Sequence, residues 1–232
     1  MLLRTPPITF ISVIDHSSCV YIRWHGFSCF EFADDTVRVV VDPHDGKSIG
    51  VYPPSASANV VLCTCNNYTR NAFRVIKGDH KDFTCIVGKC EANGFSFEGL
   101  PSVGGSDPRE DAWESVIYMF QMDGISVACC GPMCDVPSKD VVERLKGADI
   151  IFVPVGEYGT IRIHNLNCLL DEIGVRVVVP TCYRVGGVTL PVLPVSDFME
   201  GKDTDDFVHV GNEVELTSED ISDFRGYWIF DR

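Results

Sequence analysis

The stretch Cys65-Asn66-Asn67-Tyr68-Thr69-Arg70 follows an apolar run, NVVLCT at 59–64. A continuous apolar run reads as a strand buried on both faces, and a polar cluster at its end is where a site usually lies. Cys65, Asn67, Thr69 and Arg70 are therefore the first candidates for chemistry. Three more apolar runs end in the same way. Residues 127–130 lead into Gly131-Pro132-Met133-Cys134-Asp135, 153–156 into Glu157 through His164, and 177–180 into Thr181-Cys182-Tyr183-Arg184. In sheets of mixed α/β chains, ligands gather at such strand ends.

These residue types allow three chemistries. Cys65, Cys134, Cys182 and His164 could converge on zinc or a softer ion, although four protein ligands leave no open position for water. Cys65 or Cys182 could act as a nucleophile beside Arg70 or Arg184, with His164 as the base. Arg70, Arg162 and Arg184, with Asn67, Tyr68 and Tyr183, could hold a phosphate or carboxylate without hydrolysing it. The plainer alternatives are inert packing thiols, and arginines paired with Asp42, Asp135 or Glu157. The remaining histidines do not pair at metal-ligand spacing. Trp24, Trp113 and Trp228 read as core or interface residues.

The elements that must position these residues fall into two similar halves. Segments 8–14, 18–24, 28–32 and 37–42 are rich in β-branched and aromatic residues and are separated by turn residues, as in an antiparallel meander. Then 59–64, 70–77 and 82–87 read as strand, helix, strand. Strands follow at 94–101, 113–123 and 125–131, the last two joined by Asp123-Gly124, a strong hairpin signal. A loop spans 108–112. Helices are expected at 138–147, with Ser138 as N-cap and Gly147 at the end, and at 165–174. Buried strands are expected at 149–156 and 175–181. The tail adds a helix near 196–200 and strands near 206–210, 213–216 and 226–230. No linker rich in Pro, Gly or Ser divides the chain, so residues 1–232 read as one domain.

Bulk properties narrow the function. The 232 residues carry 19 basic and 33 acidic side chains, a net charge of -14, which disfavours broad nucleic-acid binding. The acid is concentrated at 200–206 and 213–223, read as solvated surface. Eleven cysteines occur without a C-x-x-C pair, and Cys63, Cys85, Cys129, Cys130 and Cys168 sit in apolar runs. They read as buried free thiols in a reducing cytoplasmic setting, not as a disulfide scaffold. No stretch reaches the roughly 20 apolar residues of a membrane span.

The ordered motifs resemble those of a known family. WHGFSCFEF at 24–32, VVVDPHDGKSIG at 39–50, ANVVLCTCNNYTRN at 58–71, NGFSFEGLPSVGG at 93–105, MDGISVACCGPMC at 122–134, DIIFVPVGEYGTI at 149–161 and VRVVVPTCY at 175–183 are similar, in this order, to segments of the metallo-β-lactamase fold superfamily. The branch they resemble is that of L-ascorbate-6-phosphate lactonase. The resemblance implies an α/β fold, a four-layer αββα sandwich of two mixed β-sheets.

It also implies a site. The family's metal ligands would fall on Cys65, Asn67, Thr69, Arg70, a position near Gly104, Pro132 and Cys182, with Phe27 at the small-sheet histidine. Cys134 lies close to Pro132. Every aligned ligand is replaced. The expectation is a protein without metal or hydrolase activity that acts as a binding, regulatory or assembly protein. Its ligand would be a small anion, and it could form a homo-oligomer. The alternative is a hydrolase with a Cys-containing zinc site, acting on a phosphorylated or lactone-like small molecule.

Overall fold

The computed structural model describes residues 19–105 and 112–231. The expected strand at 8–14 and most of the 108–112 loop lie outside these residues. Two mixed sheets make up the architecture. The six-stranded sheet has the order β13 (Glu213–Leu216), β1 (Val20–Gly26), β2 (Cys29–Ala33), β3 (Arg38–Val41), β4 (Val60–Cys63) and β5 (Lys81–Thr84). The eight-stranded sheet has the order β12 (Phe207–Gly211), β14 (Gly226–Phe230), β11 (Val177–Thr181), β10 (Ile150–Pro154), β9 (Ile125–Cys130), β8 (Trp113–Met122), β7 (Phe95–Gly104) and β6 (Gly88–Ala92). Four helices complete the described residues: α1 (Lys139–Leu145), α2 (Ile163–Ile173), α3 (Val195–Met199) and α4 (Ser218–Ser222).

Side-chain alternation explains why the runs in the six-stranded sheet are apolar without a break. Val39, Val41, Val60 and Leu62 point into the main core between the sheets. Their neighbours Val40, Val61 and Cys63 point outward into a second cluster with Ala56, Ala58 and Ile76. Both faces are buried, so neither tolerates polar residues. Among the described residues this outer face is covered by a loop and a single 3-10 turn, Phe73–Val75. The eight-stranded sheet is covered by the apolar stripes of α1 (Val141, Val142, Leu145) and α2 (Leu166, Leu169, Leu170, Ile173).

β1, β2 and β3 form the antiparallel meander, and β3, β4 and β5 then run parallel. Asp123 and Gly124, both at positive φ, turn β8 into β9. The helix expected at 70–77 is absent. The amides of Arg70 and Asn71 bond to the Asn67 carbonyl, and the Ala72 amide then bonds to Pro43. The chain is thereby drawn onto the neighbouring loop, and one 3-10 turn remains. Two elements were not expected: β6, whose Gly-Lys-Cys-Glu-Ala sequence lacks strand-forming residues, and α4, inside the acidic tail. α4 starts on a capping box in which Thr217 and Asp220 satisfy each other's backbone amides. No described helix is long and apolar enough to cross a membrane.

Candidate functional site

At the carboxyl ends of β4, β9, β10 and β11 the chain opens into a cavity of about 310 Å³. Phe27, Asn67, Thr69, Arg70, Pro132 and Cys182 line it, together with Gly105, Trp113, Tyr158, Thr160 and Val192. Cys65 lies beneath, 1% exposed, and its backbone bridges to Ser115. Gly104 closes β7, and the Trp113 indole occupies the space a side chain there would need. A Cβ on Gly104 would lie 2.5 Å from the ring.

Arg70 is the centre of the arrangement, with only 3% of its surface exposed. Its Nη1 donates to Asp42 Oδ2 at 2.6 Å and its Nη2 to Cys182 Sγ at 3.0 Å. Phe27 lies 5.9 Å from the guanidinium carbon, with its ring beneath the charge. Asp42 also accepts from the Thr64 amide at 2.7 Å and from the Thr64 hydroxyl at 2.8 Å. Burial pushes the Asp42 carboxyl upward, while Arg70 and Thr64 pull it back, and the net position is above its ordinary value. For Arg70, burial works against the charge, but Cys182, Asp42 and Cys65 more than offset it, so the guanidinium stays protonated. Burial pushes the Cys65 thiol up to about 12, against the pull of Arg70. Cys65 is therefore a thiol at neutral pH, a poor nucleophile.

The backbone around the cavity is strained. Phe27, Asp42, Glu157 and Cys182 all lie in the left-handed region, with φ of 55°, 53°, 54° and 60°. Each such conformation costs a non-glycine residue about 1–3 kcal/mol and tends to persist at sites. Here it turns the chain sharply at four strand or loop ends that meet at the pocket.

The other expected residues lie elsewhere. Arg162 is 75% exposed and pairs with Glu157 at 3.0 Å. Arg184 is exposed, and its Nε bonds to the Val192 carbonyl. The three arginines therefore do not meet in one cavity. His164 is exposed on α2, and Cys134 stands beside the pocket without lining it. Tyr183 is buried, with its hydroxyl on the Phe230 carbonyl, and Tyr68 is exposed. Cys168, expected to be buried, is exposed because it falls on the outer face of α2. None of the eleven cysteines is in a disulfide among the described residues.

Sequence reasoning missed Thr64, Trp113, Tyr158 and Thr160 as site residues. Thr160 and Tyr158 sit in the loop past β10, where the strand-end rule points. Nothing in the sequence distinguishes Trp113 from a core tryptophan.

Comparison with known proteins agrees with this fold. The Beta-lactamase superfamily domain matches residues 21–182, and the chain belongs to that family. No curated protein matches the sequence. Among solved structures, a metallo-beta-lactamase superfamily protein from Thermotoga maritima is similar at 24% identity and a TM-score of 0.73, over 91% of this chain and 98% of its own. A metallo hydrolase from the archaeon Ignicoccus hospitalis is 16% identical, with a TM-score of 0.57, over 78% and 88%. An isothiocyanate hydrolase from Delia radicum gut bacteria is 13% identical, with a TM-score of 0.61, over 79% and 90%. At these identities the likeness is one of fold. The closer resemblance to L-ascorbate-6-phosphate lactonase rests on the motifs alone.

The family implies a metal at the place where Arg70 lies, and the donors present do not fit one. Asn67 and Thr69 offer neutral oxygens, and Pro132 and Phe27 offer none. A fixed positive charge stands among them. Among the described residues, no three His, Cys, Asp or Glu side chains are placed to share an ion.

Proposed function

We propose that this protein is a non-hydrolytic member of the metallo-β-lactamase fold, in which an internal ion pair replaces the catalytic metal and the cavity serves to bind. One observation carries the reading: the Arg70 guanidinium, buried and bonded to Asp42 at 2.6 Å, in a cavity lined by the substituted ligand positions. Hydrolysis in this family's manner needs a metal that lowers the pKa of bound water by many units. A guanidinium neutralises Asp42 but offers no vacant orbital to water, and cannot generate hydroxide. Among the described residues that line the cavity, none is a carboxylate or imidazole that could act as a general base.

Elemental analysis of dialysed protein tests this. Zinc, iron and manganese are expected far below one equivalent, and EDTA is expected to leave the thermal midpoint unchanged, since a metal bound to the native state would raise it. A stoichiometric metal that survives dialysis, together with hydrolysis of a lactone or phosphorylated substrate, would overturn the proposal in favour of an atypical Cys-containing site.

A further inference from the structure

β6 is the last strand of the eight-stranded sheet, and only its β7 side is paired. Ala92 and Phe95 flank the turn Asn93-Gly94, whose residues are both at positive φ, so they exchange hydrogen bonds across the hairpin. Alternation then turns the amides and carbonyls of Ala92, Cys90 and Gly88 toward β7, and those of Lys89 and Glu91 toward the open edge. No described residue bonds to the Lys89 or Glu91 backbone on that side. Both side chains are exposed on the outer face of the sheet, whereas Cys90 packs toward the core. Glu98, opposite Lys89 on β7, is bonded to Arg144, and neither Lys89 nor Glu91 has a salt bridge among the described residues.

An open edge of this kind is a template for another strand. The order of residues in β6 selects which one. When two copies pair antiparallel about Cys90, Lys89 of each stands opposite Glu91 of the other. Each such pair exchanges both its backbone hydrogen bonds, and the opposite charges attract on the outer face. Sliding the register by two residues sets Lys89 against Lys89 or Glu91 against Glu91. Parallel pairing in register sets like against like at both positions. Ile86 and Val87, just before β6, are 37% and 59% exposed and extend this edge with apolar surface.

We propose that β6 is a self-association edge, on which a second copy of this chain adds its own β6 antiparallel, centred on Cys90. Two eight-stranded sheets then continue as one across a two-fold axis. No residue of β6 lines the cavity, so this association stands apart from what the cavity does.

Pairing through so short a strand buries far less than the roughly 1,600 Å² of a standard interface, so the dimer is weak. Sedimentation velocity of the full chain is expected to show monomer at about 5 μM and association with a Kd of about 100 μM. Lys89→Glu and Glu91→Lys should each weaken self-association about tenfold. An equimolar mixture of the two should restore it, because each then faces its opposite. Both residues are exposed, so neither change threatens the fold. In this register the two Cys90 residues face each other at a Cα separation of about 4.5 Å, within disulfide range. Diamide should therefore join their sulfurs, taking up the two electrons and two protons released. The linked dimer should vanish in Cys90→Ser and persist in Cys168→Ser. A full chain that stays monomeric at about 1 mM overturns the proposal, and is the result expected if another segment of this chain holds the edge. Stronger self-association of Glu91→Lys also overturns it, since that would be a response to net charge alone. So does a mixture no tighter than its components, or a diamide-linked dimer undiminished by Cys90→Ser.

Discussion

Removing one partner of the Arg70–Asp42 pair strands the other charge inside the protein. Both side chains are 3% exposed, so solvent cannot replace the lost partner. Asp42→Asn and Arg70→Met should therefore each destabilise the fold by about 3–5 kcal/mol, read from urea unfolding. The double variant should lose clearly less than the sum of the two, because it strands no charge. Additive losses would show that the pair is not coupled. Residue types alone placed Arg70 at a strand end and offered Asp42 as one of three carboxylate partners. They could not choose among the carboxylates, because the choice depends on Asp42 lying at the end of β3, beside β4. Nor could they show Arg162 and Arg184 turned away, since a strand-end position fixes a neighbourhood and leaves side-chain direction open.

Two elements meet closely just past β9. The Val116 amide bonds to the Thr64 carbonyl at 2.9 Å, so the two sheets are joined by backbone at the pocket's edge. Gly131 sits against this join, and a Cβ there would lie 2.6 Å from Ser115 Oγ, 2.7 Å from the Val116 carbonyl and 2.8 Å from Thr64 Cβ. Gly131→Ala should therefore destabilise by about 1–3 kcal/mol through overpacking. Gly147→Ala, at the end of α1 with its nearest atom at 3.4 Å, should change stability by less than about 0.5 kcal/mol. Equal effects in a urea titration would mean that the join is loose. At this scale most of the fold was legible, because apolar strand runs and the apolar stripes of α1 and α2 stand out in the sequence, although the Ser138 side chain makes no capping hydrogen bond at the start of α1. The 70–77 segment was not, because a few hydrogen bonds to the adjoining loop outweighed its helical spacing. In α4 the capping pair Thr217 and Asp220 was present in the sequence, yet hidden within an acidic run that reads as surface.

Across the whole molecule, the two sheets share one aromatic core. Phe30 and Phe32 of β2 face Phe152 of β10 at centroid distances of 4.6 and 5.2 Å, and Phe32 also meets Phe120 of β8 at 5.2 Å. Phe30 meets Phe230 of β14 at 5.3 Å. Phe152 thus touches both β2 rings from the opposite sheet and is 2% exposed. Its truncation to alanine removes contacts that neither sheet can restore alone, at a cost of about 3–5 kcal/mol. If the chain is one domain, as its unbroken composition implies, that loss falls on both sheets together. Hydrogen exchange of Phe152→Ala should then show β3 and β10 losing protection by a similar factor, with one unfolding transition by fluorescence and by circular dichroism. Loss confined to the eight-stranded sheet would mean that the six-stranded sheet stands by itself. The cavity would then lie between two independently stable bodies, and its shape would depend on how they move.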